Sequence, residues 1–188
     1  MVTNIKLYKL KKSDFSELLP LVTDIRVMKH IGNNKVWSSD KLSKLLEFSE
    51  KDWIEPNKAK YLYWKIKLDK KLIGIVSLHV FPVFKNKLKF QSKMISRSEI
   101  EQLNKEYFVT RFIHKKYQGK GYGTEALNKA ILKFKKIHPN ITYIYSAIHN
   151  KNIPSNKSII KAGFNIYTSV KIRNSNYNIY RKEIRKRI

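Results

Sequence analysis

The sequence predicts one domain of mixed α/β (α+β) class. Three observations carry this. Strand-like and helix-like apolar patterns follow one another along the whole chain, with no internal repeat and no Pro/Gly/Ser-rich linker between them. The length of 188 residues suits a single domain. The 42% of hydrophobic residues are enough to form its core.

The elements follow in order. Residues 4–10 alternate apolar and polar and read as a strand. Ser13 or Asp14 can cap a helix that turns Phe15, Leu18, Leu19, Val22 and Ile25 to one side, with Pro20 marking a kink or a break. Gly32-Asn33-Asn34 ends that region. Ser39 or Asp40 caps a second helix, with Leu42, Leu45 and Leu46 inward, joined by Ser49 and Trp53. Residues 60–68 and 72–81 read as an antiparallel hairpin closed at Asp69-Lys70-Lys71. Residues 82–104 read as an insertion, a candidate lid. It holds Lys85, Lys87, Lys89 and Lys93, and Ser98 and Glu101 stand at capping-box spacing. Residues 107–114 form the next strand. A helix runs from about Gly121 to Ile137, burying Leu127, Ala130, Ile131, Phe134 and Ile137 and turning Lys129, Lys133 and Lys136 outward. A strand over 141–148 follows. A short helix opened by Pro154 or Ser155 ends at Ala162-Gly163, and 164–172 with 177–184 make a final hairpin before a basic tail.

The composition restricts function. With no cysteine, disulfides, thiolate nucleophiles and cysteine-ligated zinc are excluded. No stretch has the roughly 18–20 apolar residues of a membrane span, and the first residues lack the core of a signal peptide. A cytoplasmic protein without membrane association is expected. Lys and Arg number 40 against 14 Asp and Glu, a net charge of +26. Two explanations stand: an AT-rich genome supplying lysine codons, or a polyanionic partner such as nucleic acid or a ribosome. His79, His114 and His149 lie at or near strand ends, but none has metal-ligand spacing, so no metal is expected.

Three glycines, Gly119, Gly121 and Gly123, stand between a strand and an amphipathic helix, with Lys115, Lys116 and Lys120 beside them. Glycine admits close backbone approach, and a helix N-terminus offers unpaired N–H groups, so the turn suits a phosphate or pyrophosphate. It lacks the G-x-x-x-x-G-K-[ST] pattern. The G-x-G-x-x-G pattern also fails, because the third glycine comes one residue early.

Gln118-Gly119-Lys120-Gly121-Tyr122-Gly123, followed by Thr124-Glu125-Ala126-Leu127, resembles the acetyl-CoA pyrophosphate loop of the GNAT superfamily of N-acetyltransferases. It is most similar to the ribosomal-protein alanine acetyltransferase branch. A second motif agrees in its intervals: Asn152, then Ser155 three residues on, then Gly163-Phe164. The resemblance is specific over roughly 105–170. It implies one GNAT-like domain over 1–188, with a mixed, mostly antiparallel central sheet, helices on both faces, and two parallel strands, 107–114 and 141–148, that splay apart. It further implies acetyl-CoA as cosubstrate, held by Gln118, Gly119, Lys120, Gly121, Tyr122, Gly123, Thr124, Asn152 and Ser155. Backbone groups near Phe112 and Ile113 would polarise the thioester carbonyl, and an acceptor amine would attack it directly in a ternary complex.

The same resemblance leaves the catalytic groups open. Many relatives carry a tyrosine acid where this chain has Ile159, which leaves Ser155, or Asn152 through a water, to assist the thiolate. Relatives often carry a glutamate base where this chain has Phe108. Glu106, two residues upstream and on the same strand face, can serve through water or merely solvate the strand's start. Arg111 contacts an acidic acceptor or faces solvent. His114 and His149 flank the splay as alternative bases. The implied acceptor is a protein N-terminal amine or a small amine such as an amino sugar, with Glu99, Glu101 and Glu106 as a local acidic patch. The alternative is a weak or inactive GNAT-fold protein that binds nucleic acid or ribosomes through its basic surface. Monomer and homodimer are both compatible with the sequence.

Overall fold

Inward turning of Ile5 and Leu7 makes the first strand, β1 (Ile5–Lys9). The computed structural model to which it belongs describes residues 4–31, 34–80, 98, 103, 106–172 and 175–184. The single helix expected next forms in three pieces: a 3₁₀ turn (Lys12–Asp14), α1 (Phe15–Val22) and α2 (Ile25–Met28). Asp14 does not cap α1. Its carboxylate accepts the Lys11 N–H at 2.9 Å and pairs with the ammonium of Lys65, both side chains largely buried. The break falls at Thr23–Asp24 rather than at Pro20, because the Asp24 carboxylate accepts the Arg26 N–H at 2.9 Å and starts α2 afresh. The new helix direction leaves Ile25 54% exposed, against the inward position expected.

Helix α3 (Ser39–Asp52) is capped by Ser38, not Ser39 or Asp40. The Ser38 hydroxyl accepts the Lys41 N–H at 3.2 Å. The cap is Ser38 because it is the last residue with extended backbone, φ −75° and ψ 162°. Ser49 is fully buried and donates to the Leu10 carbonyl, and Trp53 Nε1 donates to the Tyr63 carbonyl.

Strands β2 (Tyr61–Leu68) and β3 (Lys71–Val80) form the predicted hairpin, turning at Asp69 with φ 52°. β4 (Tyr107–Ile113) pairs antiparallel with β3. Helix α4 (Tyr122–Ile137) crosses one face of the sheet. Lys129 does not turn outward as expected: its ammonium reaches the Ile5 carbonyl at 2.7 Å. β5 (Tyr143–His149) starts two residues later than the pattern suggested. Helix α5 (Ile153–Lys161) is capped by Asn152. β6 (Asn165–Ile172) and β7 (Ser175–Glu183) form the closing hairpin.

Among the described residues seven strands lie in the order β1-β2-β3-β4-β5-β7-β6, and of these only β4 and β5 run parallel to each other. Ala126, Leu127, Ala130, Ile131 and Phe134 of α4 pack on Ile5, Ile66, Val76 and Val109. The opposite face carries α1–α3 over Ile75 and Phe112. Leu103 is buried beside Phe108, Tyr145, Val170 and Ile179 on that same side. The expected insertion at 82–104 and its capping box otherwise lie outside the described residues. Among the described residues no helix is long and apolar enough to cross a membrane.

Candidate functional site

The parallel pair opens almost at once. β4 and β5 share the single register pair Phe108↔Tyr145, whereas β3 and β4 stay in register from Gly74↔Ile113 to Val80↔Tyr107. One step along, Ser146 Oγ reaches the Val109 carbonyl at 3.4 Å, and then the strands part. β5 stays paired with β7 along its full length, from Tyr143↔Glu183 to His149↔Tyr177, so its far end follows β7 away from β4.

Backbone direction alternates along a strand, so residues of one parity face β3 and the others face the gap. The His114 N–H donates to the Ile73 carbonyl at 2.8 Å, which assigns His114 and Phe112 to β3. Arg111 and Ile113 therefore turn their N–H groups to the gap. This corrects the pairing expected of Phe112 and Ile113, since the backbone groups of Phe112 belong to the β3 ladder. The Ile113 carbonyl is taken by Gln118 Nε2 at 2.9 Å, so Gln118 fastens the end of β4.

The glycine turn begins where β4 ends. Gly119 and Gly121 have φ of 79° and 84°, the left-handed region that disfavours a side chain, and no atom lies within 4 Å of where their Cβ atoms would stand. Gly121 is the N-cap of α4. Among the described residues the N–H groups of Gly121, Tyr122 and Gly123 have no carbonyl acceptor. An open space lined by unpaired N–H groups at the positive end of a sixteen-residue helix fits a pyrophosphate. Lys120 is exposed beside it, and Tyr122 packs edge-on against Tyr117.

Behind the turn lies a polar chain that local sequence did not reveal. Arg111 Nη2 donates to Ser158 Oγ at 2.9 Å, and Ser158 Oγ shares a hydrogen with Thr124 Oγ1 at 2.8 Å. A Cβ on Gly123 would lie 3.2 Å from Arg111 Nε. The guanidinium thus sits under the first turn of α4, against α5, with Arg111 half-buried. Its burial lowers its pKa to about 10.

The Asn152 side chain accepts the Ser155 N–H at 3.4 Å and caps α5. Ile159, at the position of the relatives' tyrosine acid, is a fully buried core residue. Asn156 carries the turn between β5 and α5. Its amide donates to the carbonyls of His149, Asn150 and Asn152 at 3.1, 3.2 and 2.8 Å, and its oxygen accepts the Tyr180 hydroxyl at 2.8 Å.

Glu106 stands half-buried just before β4, and burial raises its pKa. Tyr145 is pushed up to about 12, first by burial and then by the charge of Glu106, so the two side chains are neighbours. Glu106 and Ser155 are not brought together. They stand beyond opposite ends of parallel strands of seven residues each, about 20 Å apart by strand rise alone.

At the open end of the gap, the ring of His149 lies 5.3 Å from Tyr177 and 6.2 Å from His30, which follows α2. His149 Nδ1 accepts the Lys151 N–H at 3.1 Å, which puts the proton of the neutral ring on Nε2. Burial, then Lys29 and then His149, lower the pKa of His30. His30 escaped the sequence reading because only the folded sheet brings it to His149. His114 leans on the Lys116 N–H at 3.5 Å. His79 is deeply buried, stacked on Tyr61, with its pKa lowered to about 4 by desolvation.

No curated protein matches the chain by sequence. Many solved structures share its fold. An aminoglycoside acetyltransferase AAC(6')-Ib, in complex with ribostamycin and coenzyme A, superposes with a TM-score of 0.69 at 13% identity, over 95% of this chain and 93% of its own. RimL, a ribosomal L7/L12 α-N-protein acetyltransferase, gives 0.70 at 14%, over 98% and 96%. The microcin C7 self-immunity acetyltransferase MccE, in complex with acetyl-CoA and AMP, gives 0.67 at 23%, over 96% and 92%. The acetyltransferase (GNAT) domain model matches residues 4–165. With that match over most of its length, and with one parallel strand pair splayed beside a glycine turn, the chain belongs to the GNAT acetyltransferase family.

Proposed function

We propose that this chain transfers the acetyl group of acetyl-CoA to a primary amine by direct attack in a ternary complex. The observation that carries the reading is the gap between β4 and β5 ending in the unpaired N–H groups of the glycine turn. Gly121, Tyr122 and Gly123 would hold the pyrophosphate, with Lys120 adding charge. The N–H groups facing the gap at Arg111 and Ile113 would bind the arm that enters it and polarise the thioester carbonyl. Acetyl-CoA supplies an acyl carbon already activated by its thiol leaving group.

The acceptor approaches from the face opposite α4 and α5, where Phe112, His149, His30 and Glu106 lie. Glu106, through a chain of waters, takes the proton of the attacking amine; its raised pKa makes it a stronger base than an exposed glutamate. A protein N-terminal amine or an amino sugar fits this open, mixed polar and aromatic mouth. RimL and the aminoglycoside enzyme act on amines of these two kinds by their names. A second reading is favoured by the charge of +26, which suits a nucleic acid or ribosomal partner.

Calorimetry with CoA and acetyl-CoA, then an acceptor screen that detects free thiol, tests the proposal. Absence of binding at micromolar concentrations ends it. Salt-steep nucleic-acid binding without turnover would favour the second reading. Glu106→Gln should depress turnover at neutral pH and leave acetyl-CoA affinity unchanged, whereas His149→Gln should retain turnover.

A further inference from the structure

Three residues stand in one row across the sheet, with their side chains on the face opposite α4 and α5. Phe108 of β4 pairs in register with Tyr145 of β5, and Tyr145 pairs with Arg181 of β7. The row marks the level at which the parallel strands begin to part. The guanidinium of Arg181 is held from three directions. Its central carbon lies 4.6 Å from the ring centre of Tyr143 and 4.5 Å from that of Tyr167, and it donates a hydrogen bond to the Tyr145 hydroxyl oxygen. Because β7 lies between β5 and β6, Tyr143 and Tyr167 flank it from opposite sides. The frame is itself packed: Tyr145 meets Phe108 at 5.5 Å and Tyr167 at 5.8 Å, ring centre to ring centre.

A ring contact uses the charge and the flat face of a guanidinium, not its five N–H donors. The Tyr145 hydroxyl that takes a hydrogen bond stays neutral, since burial first and then Glu106 push its pKa up to about 12. Glu106 is not the counter-charge. A cation in contact would hold its pKa down, whereas burial moves it up. Arg181 is half-buried, so its plane is fixed by the rings while the residue still meets solvent. A guanidinium fork held in one plane is the chemistry that binds a carboxylate or a phosphate through two parallel hydrogen bonds.

We propose that Arg181 binds an anionic group of the acceptor, so that the amine acetylated here also carries a carboxylate or a phosphate. This rests on the acetyl-CoA reading above and narrows the acceptor that it leaves open. Tyr143, Tyr145 and Tyr167 are positioning residues for the guanidinium. The gap lies between β4 and β5, and β7 is the next strand beyond. Arg181 therefore stands about 7 Å to the side of the gap, one and a half strand spacings. Amine and anion of the acceptor are separated by roughly that distance, several bonds apart. The net charge of +26 acts in the same direction, drawing anionic acceptors and opposing polycationic ones.

Matched acceptors test this, with released thiol as the readout. The pairs are 4-aminobutyrate against 4-aminobutyramide, alanyl-aspartate amide against alanyl-asparagine amide, and O-phosphoethanolamine against ethanolamine. The first two report a carboxylate and the last a phosphate. In at least one pair the anionic member should have a kcat/KM roughly 10–100-fold higher, expressed in KM. Arg181→Met should remove that preference, bringing the anionic member down to the neutral one. Arg181→Lys should restore part of it, since it keeps the charge and loses the fork. An arginine with a purely structural role would weaken both members alike, and that result overturns the proposal. Wild-type protein that binds acetyl-CoA but favours the anionic member in none of the pairs also overturns it, even where Arg181→Met does not fold. Wild-type protein that fails to bind acetyl-CoA refutes the acetyl-CoA reading itself.

Discussion

Two glycines in this fold allow opposite tests, and the pair together probes the cradle. Gly121 has φ 84° and nothing within 4 Å of its would-be Cβ. Alanine there meets no protein atom and suffers only the left-handed backbone, about 1–2 kcal/mol. For a domain of this size that is a fall in Tm of roughly 2–8 °C. The methyl group would, however, project into the space where a phosphate oxygen must approach the backbone N–H groups. Losing one charge-assisted hydrogen bond, about 1.5–3 kcal/mol, weakens CoA binding roughly 10–100-fold. Gly74 is the reverse case. Its Cβ would stand 2.4 Å from the Phe112 carbonyl oxygen and 2.9 Å from Ile113 Cδ1. Alanine there must force β3 from β4 and should cost at least the ~3 kcal/mol of severe overpacking. Thermal unfolding and calorimetry with CoA, run on both variants, separate the two effects. Gly121→Ala should lose affinity out of proportion to stability, and Gly74→Ala should lose stability first. Gly121→Ala with CoA affinity within about twofold of wild type, a change under 0.5 kcal/mol, would refute the placement of the cradle.

Three further outcomes follow from the packing. Ser38→Ala removes the only side-chain cap of α3 and should cost about 1 kcal/mol in urea unfolding. Asp14→Asn leaves the Lys65 ammonium, 14% exposed, without its partner charge. The expected loss is about 3–5 kcal/mol, measured the same way. His79 has its folded pKa depressed by burial to about 4, below the ordinary value of 6.5, so the unfolded chain binds more protons between these values. Its contribution to stability is therefore complete above pH 6.5 and is lost as pH falls towards 4, by up to about 3 kcal/mol. His79→Phe should flatten that part of the stability–pH curve, and an unchanged curve would show that His79 does not control it.

The elements legible in the sequence are those whose cause is local. The hairpin of β2 and β3 follows from an apolar strand pattern and a turn at Asp69. The body of α4 follows from the spacing of Leu127, Ala130, Ile131 and Phe134. Helix ends were legible only to within a residue or two, because a cap depends on which residue keeps extended backbone. Ser38, Ser39 and Asp40 are chemically interchangeable as caps, and only the φ and ψ of Ser38 choose between them. By its residue type Pro20 marks a kink or a break in the first helix. The decisive residue is Asp24, whose carboxylate starts a new helix four positions later.

The same division runs through the site. The cradle is contiguous, so a phosphate-binding turn could be read from residues 118–124 alone. The catalytic half is assembled from residues far apart in the chain, and its chemistry depends on direction as much as identity. Phe112 and Ile113 are adjacent in sequence, and which of them turns its N–H to the gap depends on the pairing of β4 with β3, settled by the bond between His114 and Ile73. His30 gains its neighbour His149 only when α2 is laid over the sheet. Arg111 shows the limit most sharply. Arginine is mostly found at the surface, so its residue type alone argues for solvent or an acidic acceptor. Its actual position depends on Ser158, 47 residues away on another element. Arg111 thus ties the end of β4 to α5 behind the glycine turn, a link that no local pattern around residue 111 shows.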